Sequence, residues 1–280
     1  MKFPKYWTRA YNSTRTVVAR GWSEISQDEA ERNAQARLRR ILAALKPPRS
    51  FDLDLERYEY VIDNVICEEV VDRIEQGGRE LAVVSRNAYG SLILNAAELM
   101  FVDIDFPKPY RGGCLFANWF RRRPVEPPPE ETALAAVRRW QSAHPDISLR
   151  VYRTFAGLRL MITNRVFASV DDATVAMMQQ LGSDSLYVQL CRSQNCFRSR
   201  LSPKPWRVGM DKLPAKFPFA TSEEQLAFEQ WNARYVAAAD SYRVCRLVEV
   251  LGEAATLEQH LGLIELHDRL CGVDHNRELA

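Results

Sequence analysis

Long hydrophobic runs are missing from this 280-residue sequence, and no stretch of it approaches the length of a membrane span. The opening segment Met1-Lys-Phe-Pro-Lys-Tyr-Trp-Thr-Arg9 has no apolar run behind its charges, so neither an embedded nor an exported chain is expected. An excess of charge of one sign is missing too. With 38 basic and 36 acidic side chains the formal charge is +2, so no global field draws the molecule to nucleic acid or membrane, and any polyanion site must be local. Six cysteines, at positions 67, 114, 191, 196, 245 and 271, are too dispersed for a disulfide-stapled secreted domain; reduced thiols and a cytoplasmic location are expected. Cys191 and Cys196 have no second pair beside them to complete a tetrahedral metal site and read as buried thiols. Glycine loops of the Walker and dinucleotide kinds are absent, as is a Gly-x-Ser-x-Gly nucleophile turn.

An apolar fraction of 46% supports a sizeable core. The pattern predicts an α+β (mixed α/β) fold: a central, mostly antiparallel sheet flanked by helices, with a helical C-terminal region. Its expected parts are an N-terminal α/β part (1–98), a core carrying the candidate site (99–210) and a helical cap (211–280). Thr16–Arg20 reads as a strand, and Ser26 with Glu29 in capping-box spacing starts a helix that Pro47 and Pro48 end. Tyr58–Ile62 reads as a strand and Glu68–Ile74 as a short helix closed by Gly77-Gly78. Two apolar runs, Leu81–Ser85 and Leu99–Phe106, joined through Tyr89-Gly90 and Ser91–Asn95, form the centre of the sheet. Arg111–Pro129, with its glycines, prolines and three successive arginines, reads as a surface loop. Glu130–His144 is an amphipathic helix, and the stretch from Leu149 to Ile162 a hairpin turning at Thr154-Phe-Ala-Gly157. Asp171–Gln180 reads as a helix, Tyr187–Leu190 as a strand, Glu223–Leu251 as one long helix and Leu257–Leu270 as another.

The sharpest local feature is Leu99-Met-Phe-Val-Asp103-Ile-Asp105-Phe-Pro107, in which four apolar residues run into two carboxylates one residue apart. Strand alternation puts Asp103 and Asp105 on the same side. Adjacent carboxylates repel, and a divalent cation such as Mg2+ or Mn2+ is their natural neutraliser. The alternative is a solvated strand end, with one aspartate capping the turn before Pro107 and the other paired with an arginine.

Downstream, Val151-Tyr-Arg153-Thr-Phe-Ala-Gly157-Leu-Arg159 offers a turn glycine that admits a ligand to the backbone, and two guanidinium forks that suit phosphate oxygens. A later segment, Cys196-Phe-Arg198-Ser-Arg200-Leu-Ser-Pro203-Lys204-Pro205-Trp206-Arg207, interleaves four cations with Phe197 and Trp206, charge for phosphates beside flat faces for bases. A basic loop pinned by a buried tryptophan is the competing account. His260, His267-Asp268 and Asp274 echo a phosphohydrolase ligand order. They are crowded into fifteen residues, and the two histidines read as exposed or packing side chains.

The succession of a strand ending in Asp-x-Asp, a helix, a glycine-bearing hairpin, then Gly182-Ser-Asp184 and an Arg200-Leu-Ser-Pro203-Lys204 element resembles the catalytic core of archaeo-eukaryotic primases and primase-polymerases. The resemblance covers about Leu99 to Arg207. It implies Asp103 and Asp105 as metal-binding and catalytic carboxylates, Gly157 as the hairpin glycine, and Arg200 with Lys204 as the later basic element. Arg153, Arg159 and Arg198 join these as expected phosphate-binding residues, with Phe197 or Trp206 stacking a base. Arg159 falls where the family has a nucleotide-binding histidine, and an arginine does not exchange a proton near neutral pH. Asp184 and Asp211 are candidates for a third carboxylate. The expected activity is metal-dependent binding of a nucleotide or nucleic-acid phosphate, extending to nucleotidyl transfer. The alternatives are a non-catalytic nucleotide- or nucleic-acid-binding protein, and an interaction protein that docks a partner through its C-terminal helices.

Overall fold

The computed structural model describes residues 1–45, 65–107 and 127–280. The strand expected at Tyr58–Ile62, the helix stop at Pro47 and Pro48, and most of the loop beginning at Arg111 lie outside the described residues.

Strands β1 (Tyr6–Tyr11) and β2 (Val18–Ser23) form an N-terminal hairpin against which α1 (Gln27–Ala44) packs. Ser26 caps this helix, its hydroxyl oxygen accepting the Glu29 amide proton at 3.2 Å. The Glu29 carboxylate turns instead to the Ser23 hydroxyl. Ala30, Ala34 and Leu38 carry the buried stripe.

Two four-stranded antiparallel sheets make up the body, where the sequence suggests a single central one. The first runs β3 (Glu69–Gln76), β4 (Arg79–Arg86), β5 (Leu92–Ala96), β9 (Phe197–Arg200). The second runs β11 (Cys245–Leu251), β7 (Leu149–Thr154), β8 (Gly157–Ile162), β6 (Phe101–Asp105). Apolar residues of both sheets share one core with those of α2 (Pro129–Ser142), α3 (Asp172–Gln180), α4 (Ser185–Gln194) and α6 (Glu258–Cys271). The boundaries expected near 98 and 210 therefore cut across sheets: β5 pairs with β9, and β11 with β7. No helix of the described residues is long and apolar enough to cross a membrane.

Three expected elements change type, each for a local reason. In place of the helix expected over Glu68–Ile74, the chain from Glu69 forms the edge strand β3, whose charged Asp72, Arg73 and Glu75 suit an edge, and Gly77 and Gly78, both at positive φ, turn the chain into β4. Tyr187–Leu190 lies within α4, because Asp184 caps that helix by accepting the Tyr187 amide proton at 2.8 Å. The long helix expected over Glu223–Leu251 stops as α5 (Ser222–Ala239). Beyond it the valine-rich run becomes β11, and the short β10 (Tyr242–Arg243) pairs in parallel with β12 (Glu278–Leu279). The C-terminal region keeps its helical character in α5 and α6, with α5 burying Phe228, Trp231 and Tyr235 in a second small core.

A seam between the two sheets positions the candidate residues. Strand β6 ends one sheet and β9 the other, and Tyr187 of α4 joins them, its hydroxyl 2.8 Å from the Arg198 carbonyl oxygen and 3.2 Å from that of Phe101.

Candidate functional site at the seam between the sheets

Strand register puts Asp103 opposite Arg159, and Asp105 opposite Gly157, so both carboxylates lie on the same face of β6, as alternation predicts. Arg159 is only 1% exposed. Its Nε donates to Asp103 Oδ1 at 3.1 Å, and its Nη1 donates to the Arg200 carbonyl oxygen at 3.0 Å, a second staple across the seam. Burial would lower the guanidinium pKa, but the charge of Asp103, together with the sulfurs of Cys245 and Cys271 and the Asp103 hydrogen bond, more than offsets it, so Arg159 carries its full charge. The arginine-paired alternative for one of the two aspartates thus holds for Asp103. At 32% exposure its carboxylate still reaches solvent, and Oδ2 takes no part in the Arg159 bond.

Asp184 joins the two strand carboxylates. Its backbone N–H donates to the Asp103 carbonyl oxygen at 2.8 Å, which ties the start of α4 to β6. Burial raises the Asp105 carboxyl above the ordinary range, and the negative charges of Asp184 and Asp103 add to the rise; Lys204 and Arg200 oppose it. Asp211, the other candidate, is exposed and apart, its carbonyl oxygen accepting from Trp231 Nε1 at 3.0 Å.

Facing the acids is a cluster of cations. Burial, then Arg200 and Arg207, pull the Lys204 ammonium down to about 8, and burial and Arg200 also lower Arg207. Arg200 Nε and Arg207 Nη1 are buried without hydrogen-bond partners among the described residues. No ion pair joins Asp105 or Asp184 to Arg200, Lys204 or Arg207 among these residues. Aromatic rings border the cations: Arg207 lies 4.0 Å from the Phe155 ring centroid, Lys204 5.5 Å from that of Trp206, and Trp206 meets Tyr89 edge-on at 5.3 Å. Trp206 is 58% exposed and Phe155 50%. The tryptophan is therefore an open face beside charge, where the competing account has it buried.

Four sequence expectations are corrected. Arg153 lies on the opposite face of the sheet from Arg159, because it pairs with Leu158 in register; its Nε donates to Glu130 of α2 at 2.8 Å and its guanidinium stacks on Phe106. Arg198 is buried in a 2.6 Å pair with Glu68 and a 2.6 Å bond to Gln194, away from solvent. Phe197 is fully buried in the core and stacks no ligand. Gly157 lies in β8 rather than the turn, and what approaches it is protein: a Cβ there would stand 1.8 Å from the Ile104 carbonyl oxygen.

Sequence reasoning missed a second cluster, behind Arg159. Cys245, His267 and Cys271 are buried, and one ligand atom from each lies within 4.8 Å of the others. Among the described residues no other three histidine, cysteine, aspartate or glutamate side chains come so close, and Asp103, Asp105 and Asp184 do not. Cys245 and Cys271 stand 26 residues apart on different elements, so no spacing motif could have signalled them. Cys191, Cys196, Cys245 and Cys271 are free thiols. Comparison with protein-family models, curated proteins and solved structures finds no match for this chain.

Proposed function

We infer that this chain binds the phosphates of a nucleotide or nucleic acid at the seam, together with a divalent cation of the Mg2+ or Mn2+ class held by Asp103 and Asp105. The observation that carries the reading is segregated charge. Asp105 and Asp184 lie beside Asp103, which is paired with Arg159, while Arg200, Lys204 and Arg207 stand together, and among the described residues no ion pair joins Asp105 or Asp184 to those three cations. A divalent cation relieves repulsion on the acid side, and a phosphate relieves it on the basic side.

The donors fit a hard ion. Asp103 gives one oxygen to Arg159 and keeps the other, while Asp105 is open to solvent. Mg2+ takes only one or two protein carboxylates when water and substrate phosphates complete its shell, so three converging side chains are not required. When bound, the ion neutralises phosphate charge and polarises a phosphoryl oxygen. Arg200, Lys204 and Arg207 supply the counter-charges, and Trp206 or Phe155 a stacking surface for a base.

The primase resemblance gives this proposal its enzymatic form, nucleotidyl transfer. The bond from Arg159 to Asp103 favours a second reading, a non-catalytic binding protein. It occupies one catalytic carboxylate, and an always-charged arginine stands where the family has a titrating histidine. Template-directed incorporation of labelled nucleotides separates the two: incorporation lost in Asp105→Asn supports the enzyme, and binding without incorporation supports the second reading. A partner-docking role for the C-terminal helices would have to use the outer faces that carry Leu226 and Val236 of α5 or Leu261 of α6, since the inner faces are buried.

Lys204 provides a direct test of the phosphate cradle. An anion binds its protonated form, so affinity for a nucleoside triphosphate with Mn2+, read from tryptophan fluorescence, should hold up to about pH 8 and fall as pH rises beyond it. Lys204→Met should weaken binding about tenfold below that pH and abolish this step. A wild-type affinity that ignores pH between 7 and 9.5, or no binding at all, would remove Lys204 from the site.

A further inference from the structure

We propose that Cys245, His267 and Cys271 form a zinc site behind the seam, with two thiolates and the His267 Nε2 as its protein ligands. The three ligand atoms already lie within 4.8 Å of one another, drawn from the start of β11 and the last turns of α6, and the sulfurs are not joined as a disulfide. Two sulfurs and an imidazole suit Zn2+ far better than Mg2+ or Mn2+.

The surroundings favour the same ion. His267 Nδ1 lies 2.8 Å from Asp268 Oδ1, and Asp268 Oδ2 is held by Arg150 at 2.6 Å. With its proton on Nδ1, the ring presents the Nε2 lone pair inward, and a carboxylate behind a ligating histidine is the usual outer-shell support of zinc. Nε2 now faces Arg159 Nη1 at the long distance of 3.4 Å. When the ion takes that lone pair, Nη1 gives up this contact and shifts aside, while Nε keeps its bond to Asp103. Phe101 and Tyr152 lie against the imidazole and close the apolar shell.

The charges balance. Arg159 is offset by Asp103 and Arg150 by Asp268. Two zinc–sulfur bonds form to two thiolates, with any thiol proton still present leaving to solvent, so Zn2+ with its two thiolates is neutral. No oxidant or reductant takes part. The bound ion would fasten β11 and α6 together immediately behind the residue that orients Asp103. This inference does not rest on the phosphate-binding reading, since none of its ligands belongs to the seam.

Cobalt substitution tests it. The protein, kept reduced, is titrated anaerobically with Co2+ and then with Zn2+. The expected result is one Co2+ per chain with a near-ultraviolet thiolate-to-cobalt band, bleached by one Zn2+. Cys245→Ser and Cys271→Ser should lose the band, while Asp105→Asn, which leaves the Arg159–Asp103 pair in place, should keep it, so failure of the carboxylate site remains distinguishable. Because serine at either position can itself disturb the core, the wild-type spectrum decides alone. Folded wild-type protein that gives no sulfur band, or binds Co2+ only through oxygen, overturns the proposal.

Discussion

Alanine at Gly157 should destabilise the protein by about 3 kcal/mol or more, among the largest losses that a single methyl group can cause. Glycine is required here by proximity, since this residue is not in the left-handed region. The β8 backbone lies so close to β6 that the added carbon would meet the Ile104 carbonyl oxygen at 1.8 Å and approach the Asp105 Cα at 3.1 Å. Neither neighbour is a flexible side chain that can turn aside. The strands must separate at the pair Asp105–Gly157, which disturbs the ladder that carries both aspartates. Thermal unfolding should show a drop on the order of 5–10 °C. An unchanged melting temperature would mean that β6 and β8 do not run together as described.

Arg198→Met should cost about 3–5 kcal/mol, because it leaves the Glu68 carboxylate deep in the protein without its arginine. The Arg198 and Glu68 side chains are 7% and 2% exposed, and the carboxylate would retain only the Ser85 hydroxyl among its described partners. The same variant separates a structural role from a binding one. Folded Arg198→Met should bind nucleoside triphosphate as tightly as wild type, because Arg198 lies away from the seam cluster. A stable variant with weakened binding would return Arg198 to the phosphate site.

How legible these features are in sequence depends on how local their causes are. Asp103 and Asp105 share a face because of a two-residue period, and Ser26 and Asp171 cap helices through bonds that span three residues; such features can be read directly. Arg153 shows where local reading stops. Which face it takes is fixed by the β7–β8 register and by Glu130 twenty-three residues away. Arg198 and Arg200 look alike in a basic run, yet a buried glutamate 130 residues from Arg198 makes that arginine structural. The strand character of β11 is masked by the helical pattern before it and appears only through pairing with β7. Asp184 has a signal that sequence can give, an Asp-Ser-Leu-Tyr helix start, and reading it as a cap would have replaced the expected strand with α4. Of the Cys245–His267–Cys271 cluster, sequence carries only the four-residue spacing that puts His267 and Cys271 on one face of α6; Cys245 joins them through the docking of that helix against the sheet.

The central claim is that Asp103 and Asp105 hold a cation whose other ligands are phosphates. The most direct measurement is the melting temperature with Mn2+ alone, with nucleoside triphosphate alone, and with both. Saturation at about a hundred times Kd is worth about 2.7 kcal/mol, a rise of several degrees. That rise should appear in full only when both are present, and Asp105→Asn, which leaves the Arg159–Asp103 pair intact, should erase most of it while leaving the apo melting temperature near that of wild type. Asp103→Asn should lower the apo melting temperature itself, because buried Arg159 loses its counter-charge, so its ligand shift is read against its own apo value. A rise of equal size in Asp105→Asn, or none in wild type, would contradict the claim.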